Sequence, residues 1–385
     1  MTNCHSFVYF LTLASIILSA LASSTYPVIQ MQETKTGCST KDVRIVFSDV
    51  DGTLVHYNDI PPPKTTSLDD TNGKSLSTDE GKDLIHLPSS STGMKGVISV
   101  DTLRKCQELR QRGIKLVLIS GMRSTTLWKR IPYLPKADAY CCEAGGRIFY
   151  PRTIKSTDNT GRTFQLQSFD GIKSADQQPF ALVEDIEWKG RMEASAGFDG
   201  YAGNEIREED PTNMFIPVSQ RKGLLWEFCN ELQQKGLVAD TVGYSVCFRL
   251  NRSQQVGQFK ENFDDLYSMH IPDQLTTSVN LGCIDVYPKE SGKKNCCQYV
   301  MTQLCPEGTT LQNNAVCLCD DDNDLEMALA CHHAFLPGIS SQSMRRVIDQ
   351  NPNHMTVTGG IDDLEGGTKA SELALNAILT MVSPS

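Results

Sequence analysis

Residues 44–53 read Arg44-Ile45-Val46-Phe47-Ser48-Asp49-Val50-Asp51-Gly52-Thr53. A short apolar run rich in β-branched residues predicts a buried strand. It stops abruptly at two aspartates one residue apart, followed by a glycine. Residues two apart on a strand point to the same side, so Asp49 and Asp51 would project together from its end. In an open parallel sheet the carboxyl ends of the strands are where ligands bind. The competing reading of the same residues is a surface turn, because Asp-Gly is a common turn dipeptide.

The segments around this strand favour the first reading. Val100–Arg112 has the pattern of an amphipathic helix, with Ser99 or Asp101 able to cap it and Gly113 to stop it. Ile114–Ile119 then predicts a buried strand ending in Ser120-Gly121-Met122-Arg123. A helix carrying Leu127, Trp128 and Ile131 follows. Ala139-Tyr140-Cys141-Cys142 predicts a third strand, ending in Glu143-Ala144-Gly145-Gly146. Helices alternating with apolar strands predict a Rossmann-like, doubly wound parallel sheet of the α/β class. Residues 43–150 form its first part, interrupted by a Pro-, Ser- and Thr-rich stretch, 61–96, expected to be a mobile polar loop. From 151 to 282 the texture is α+β, with an alternating strand at Tyr244–Leu250 and a helix over 223–234, as expected for an inserted layer. The doubly wound pattern resumes over 283–385. There a helix from Lys293 to Leu304 precedes Ala315–Cys319 and the acidic run Asp320-Asp321-Asp322-Asn323-Asp324.

The chain has 385 residues, enough for about two domains of ordinary size, with 39% hydrophobic and 21% charged residues, the profile of a globular protein. A net charge of -10 and a pI near 5.3 speak against nucleic acid as the main partner. Residues 1–24 carry an apolar run, Phe7–Ala22, with a small-x-small site at Ala20-Leu21-Ala22. This predicts a secretory signal, with a signal anchor or an organelle presequence as alternatives, since no Lys or Arg precedes Lys35. The run is short for a membrane span, and no stable span is expected. Residues 25–42 read as a flexible lead-in. The sequon Asn251-Arg252-Ser253 would be usable on the secretory route. Fourteen cysteines include the adjacent pairs Cys141-Cys142 and Cys296-Cys297, which read as small buried hydrophobes.

Four segments together resemble the haloacid dehalogenase superfamily. Asp49-Val50-Asp51-Gly52-Thr53 is similar to its first motif and Ile119-Ser120-Gly121 to its second. Pro288-Lys289-Glu290-Ser291-Gly292-Lys293 resembles the segment that ends in an essential lysine, and Cys319–Asp324 resembles the fourth motif. An insertion between Ser120 and Lys293 resembles the C2-type cap of sucrose-phosphate phosphatases, Cof-like sugar phosphatases and phosphomannomutases.

The resemblance implies a Mg2+-dependent phosphatase acting on a small phosphate ester, a sugar phosphate being favoured. In that scheme Asp49 is the nucleophile and Asp51 the acid and base. Asp49, the Asp51 carbonyl and Asp320 hold the metal. Asn323 and Asp324 position Lys293 and the metal waters. Ser120, Gly121, Thr53, Lys293 and Asn323 contact phosphate. The family pattern is broken at Cys319, where glycine is usual, and Asp321 adds a candidate contact to a metal-bound water. Lys293 is preferred over Lys294 by its spacing from Pro288. Arg123 reads either as a substrate contact or as a solvated helix-start charge. Gly145-Gly146 reads as a cap-hinge loop or an ordinary turn, and His332-His333 as a surface pair rather than a metal site. The rival functions are a phosphomannomutase-like phosphotransferase and a binding protein on the same fold.

Overall fold

The computed structural model describes residues 43–57, 76–77, 83–89, 93, 95–154, 163–167, 178–196, 217–280, 282–359 and 367–382. The expected leader and lead-in, 1–42, lie outside the described residues. The chain enters on β1 (Ile45–Ser48), passes through β2 (Leu76–Ser77), β3 (Asp83–His86) and β4 (Val97–Ser99), and returns as β5 (Lys115–Ile119) after the helix Val100–Gln111. The helix Ser124–Arg130 leads to β6 (Ala139–Cys142), which turns back into β7 (Arg147–Thr153), followed by β8 (Thr163–Phe164) and β9 (Phe180–Glu184). After the helices Ile186–Ala196 and Leu224–Gln234 come β10 (Ala239–Asp240), β11 (Phe248–Asn251), β12 (Leu275–Asn280) and β13 (Cys283–Pro288). The helix Lys293–Leu304 precedes β14 (Ala315–Leu318), β15 (His333–Leu336), β16 (Met355–Val357) and a last helix, Gly367–Met381.

The described strands form a large sheet in the order β16-β15-β14-β1-β5-β6-β7-β9-β8. Every pair from β16 to β6 is parallel, and the pairs from β6 to β8 are antiparallel. Successive residues of the central strands feed opposite hydrophobic layers. Val46, Leu116 and Leu318 pack with Leu103, Leu109 and Ile378 on one face. Ile45, Phe47, Val117 and Cys317 pack with Cys296, Val300 and Met344 on the other. Helices therefore cover both faces, and the α/β doubly wound expectation holds. From β1 the chain runs outward one way to β5 and β6, and later the other way through β14 to β16. The order reverses at β1, so Asp49 stands at the topological switch point, where such sheets open a crevice.

A second, antiparallel sheet has the order β10-β11-β13-β12 and packs against the helix Leu224–Gln234 through Trp226, Phe228, Phe248 and Val286. Sheet membership draws the insert differently from the expected 151–282. Phe180–Glu184 extends the large sheet, whereas Cys283–Pro288, read as resumed core, is the inner strand of the second sheet. All six of its residues are buried, which fits either layer, so only the pairing partner decides. The 61–96 stretch is also not all loop. β3 pairs with β2 and β4, and Leu84, Ile85 and Leu87 are buried. Tyr244–Leu250 is a strand only from Phe248 onward.

Ser99 caps the helix Val100–Gln111, accepting from Thr102 N. The cysteines among the described residues are free thiols, nearly all buried. Among the described residues no helix is long and apolar enough to cross a membrane.

Candidate active site

β1 ends by hydrogen-bonding Asp49 N to Leu318 O (3.0 Å), which ties the start of the Asp49–Thr53 loop to β14. The next residue of that neighbour chain but one is Asp320, so the two strand ends bring Asp49 and Asp320 together from 271 residues apart (320 minus 49). Gly52 takes a positive φ of 87°, and a Cβ there would collide with the Asp320 carboxylate. The glycine is needed for both reasons. Thr53 Oγ1 donates to Asp320 Oδ1 at 2.6 Å. Its hydroxyl therefore orients a carboxylate, a different job from the phosphate contact expected of it.

Asp324 follows one turn later. Its side chain is fully buried and accepts from Lys293 Nζ at 2.6 Å, while its other oxygen faces the N–H groups of Asp320 and Asp321 at 3.5 and 3.4 Å. Lys293 Nζ also lies 2.8 Å from Asp49 Oδ1. Among the described residues Lys293 is charge-paired to this oxygen, and nothing else donates to it. Ligand oxygens of Asp49, Asp320 and Asp324 lie within 4.8 Å of one another. Three buried carboxylates facing one ammonium leave an excess of negative charge. Burial, with further repulsion from Asp324 and Asp51, pushes the Asp49 carboxyl up to about 8 despite Lys293. Burial and the neighbouring Asp49 likewise raise Asp320 well above the carboxylate range. Burial alone would lower Lys293, but Asp324 and Asp49 outweigh it and hold the ammonium charged. An oxygen-rich pocket of this kind fits a hard divalent cation.

Asp51 points elsewhere. Its Oδ1 accepts short hydrogen bonds from both Tyr57 OH and Arg130 Nη1, and Arg130 Nη2 reaches Tyr57 OH at 3.1 Å. Burial first, and then the Asp51 charge, raise the Tyr57 phenol, which keeps it a donor. Neither Arg130 nor Tyr57 stands out in the sequence. Arg130 is indistinguishable from Lys129 until burial is known, and it is 1% exposed.

Ser120 is buried at the end of β5, its Oγ accepting from Met122 N at 3.2 Å. Gly121 sits under the second sheet. A Cβ on it would strike the Asn280 amide, and its carbonyl accepts from Arg249 Nη2 at 3.3 Å. Arg249 is held by two bonds to the fully buried Asp285, which also accepts from Asn280. Arg123 is neither solvated nor free for substrate. It is buried, ion-paired to Asp240, bonded to Val242 O, and lies over the Tyr244 ring. Glu143 Oε2 accepts from Ser245 N and Val246 N at 2.7 and 2.8 Å, so the loop after β6 does join core to insert. Glu143 and Ala144 both take positive φ, 54° and 55°.

Lys294 is exposed, which places Lys293 alone in the cluster. Among the described residues Asn323 makes no bond to Lys293, and its Oδ1 has no hydrogen-bond partner. Asp321 Oδ1 accepts from Ser340 Oγ at 2.5 Å, and Asp321 caps the Asp322–Asp324 turn. His332 and His333 bond Gln312 O and Thr356 Oγ1. A cavity of about 850 Å3 lined by Trp188, Arg191, Lys289 and Tyr299 includes none of the site residues.

The chain is similar to solved phosphatases. It overlaps the sucrose-phosphatase of Synechocystis sp. PCC6803, solved with sucrose and phosphate, at 12% identity and a TM-score of 0.49 over 89% of this chain and 98% of that one. A haloacid dehalogenase-like hydrolase of Bacillus subtilis overlaps at 13% identity and 0.41, covering 89% and 94%. A subclass IIB sugar phosphatase of that superfamily overlaps at 11% and 0.40, covering 87% and 100%. No family model and no curated protein sequence matches the chain. The chemistry rests on the site itself.

Proposed function

We propose that the protein is a Mg2+-dependent phosphatase of haloacid dehalogenase type that hydrolyses a small phosphate ester, a sugar phosphate in the favoured case. One observation carries this: the buried carboxylates of Asp49, Asp320 and Asp324, with oxygens within 4.8 Å of one another, share one lysine, Lys293, at the switch point of the sheet. Asp49 and Asp320 would hold the cation directly, together with the Asp51 backbone carbonyl, and Asp324 would anchor Lys293 beside it. When bound, Mg2+ supplies positive charge that offsets the phosphoryl oxygens and keeps Asp49 ionised.

Asp49 attacks phosphorus while the bond to the leaving oxygen breaks, giving an aspartyl-phosphate. The Asp51 carboxyl gives its proton to that oxygen. A water then attacks phosphorus, Asp51 takes the water's proton, and the bond from phosphorus to Asp49 breaks, which releases phosphate and restores Asp49. Lys293 offsets the charge that concentrates on the transferring group. Ser120 and the Gly121 amide are assigned to the phosphoryl oxygens. The insert places Arg249, Asn280 and Asp285, bonded to one another, against Gly121, where they hold the loop that carries its amide.

The purified protein, given a panel of phosphorylated sugars with Mg2+, is expected to release inorganic phosphate. Isomerisation of a sugar phosphate without release would replace hydrolysis by phosphotransfer. Binding without turnover, unchanged by Asp49→Asn, would leave only a binding protein.

A further inference from the structure

We propose that Arg130 and Tyr57 are positioning residues for proton transfer, fastening Asp51 by one oxygen so that the other carries the proton to and from the leaving group. The inference rests on the phosphatase reading, in which Asp51 is the acid and base. Both described bonds to the Asp51 carboxyl end on Oδ1, one from a guanidinium and one from a phenol. The two donors are themselves joined through Arg130 Nη2 and Tyr57 OH at 3.1 Å, closing a three-membered ring of contacts.

Such a ring fixes the plane of the carboxyl. Proton transfer needs the transferring oxygen within hydrogen-bond reach of the leaving atom, and a carboxyl free to rotate spends little time there. The elements have separate origins. Asp51 follows β1, Arg130 ends the helix after β5, and Tyr57 follows the bridge that pairs His56 with Val97. The ring therefore locks the loop after β1 to the neighbouring strand's helix, at the carboxyl that moves the proton.

Arg130 is a poor choice for stability alone. It is 1% exposed, and its Nε has no hydrogen-bond partner among the described residues. A buried cation with an unmet donor costs free energy that an apolar side chain would avoid. A planar fork that reaches two oxygens is what arginine offers over lysine.

The test compares two leaving groups. A sugar phosphate leaves as an alkoxide that must be protonated, whereas 4-nitrophenyl phosphate leaves as a stable phenolate that needs no proton. The ratio kcat/KM reports the steps up to leaving-group departure, before the water step that the two substrates share. Arg130→Met is expected to lower kcat/KM for the sugar phosphate about 10²-fold and Tyr57→Phe about tenfold, each with a loss below about threefold on the aryl ester. Equal losses on both substrates in Tyr57→Phe, which removes only a hydroxyl and spares folding, would overturn the inference. So would unchanged kinetics in both variants. If the wild-type protein hydrolyses neither ester, the phosphatase reading itself has failed, a result distinct from either of those.

Discussion

Two charged regions meet at Gly121, and they are built on opposite terms. Beneath it, three buried carboxylates, Asp49, Asp320 and Asp324, share one lysine. Above it, at the second sheet, carboxylates are matched to guanidiniums: Asp285 with Arg249 and Asp240 with Arg123. Unmatched charge marks where a ligand belongs, because folding alone would not retain it. Matched charge marks where geometry is kept. Substitution should therefore cost activity below and stability above. Asp49→Asn is expected to cut phosphate release more than about 10³-fold while the metal-free protein melts no lower, since a neutral amide of the same shape replaces a carboxyl that burial already holds protonated. Asp285→Asn leaves Arg249, whose side chain is 13% exposed, short of the fully buried anion that holds it and should cost about 3 kcal/mol. Thermal melting and phosphate release on the same two proteins check both, and a large stability loss in Asp49→Asn would erase the contrast.

Acid and metal sharpen it further. The Asp49 carboxyl rises from 3.8 to about 8 on folding, so the folded state holds a proton that the unfolded chain has released. Its stabilising effect is complete below about pH 4 and is lost as pH climbs toward 8. The chelated protein should therefore lose stability across that window, read as a falling Tm. Mg2+ competes with the proton for the same oxygens. Its stabilisation should therefore grow with pH over the same range and cancel the fall. A Tm that is flat with pH after chelation, or unmoved by Mg2+, would remove the charge excess on which the site is argued.

Much of the lower region was readable in the sequence because its signals are local. Asp49, Ser120 and Asp320 each end an apolar run, and a run followed by a polar break is a pattern of a few residues. Lys293 needed the resemblance to choose it over Lys294, and burial agrees with that choice. The upper ion pairs and the Asp51 clamp were not readable. Arg130 meets Asp51 across 79 residues and Arg123 meets Asp240 across 117, and nothing in either neighbourhood names the other partner. Thr53 was assigned to phosphate because it lies in the first motif, but its hydroxyl is spent on Asp320. Cys283–Pro288 was placed in the wrong sheet because buried strands of both layers look alike in sequence.

The smallest effect expected is at Arg123, where the contrast between the two regions is most easily broken. From the sequence this arginine could touch substrate or water. In the fold its side chain is 8% exposed and its partner Asp240 14%, with Val242 O as a second acceptor and the Tyr244 ring beneath. A pair this enclosed is only weakly screened, yet each member also costs desolvation, so the net coupling is modest. A double-mutant cycle with Arg123→Met and Asp240→Asn should give about 1–2 kcal/mol, above the level of independent sites. Because the pair spans core and insert, each variant should also speed amide exchange over Asp240–Val246 without altering exchange in β1. A coupling below about 0.3 kcal/mol would make Arg123 a solvated charge after all. If both variants raised KM for the sugar phosphate while exchange stayed fixed, Arg123 would belong to the lower region as a substrate contact.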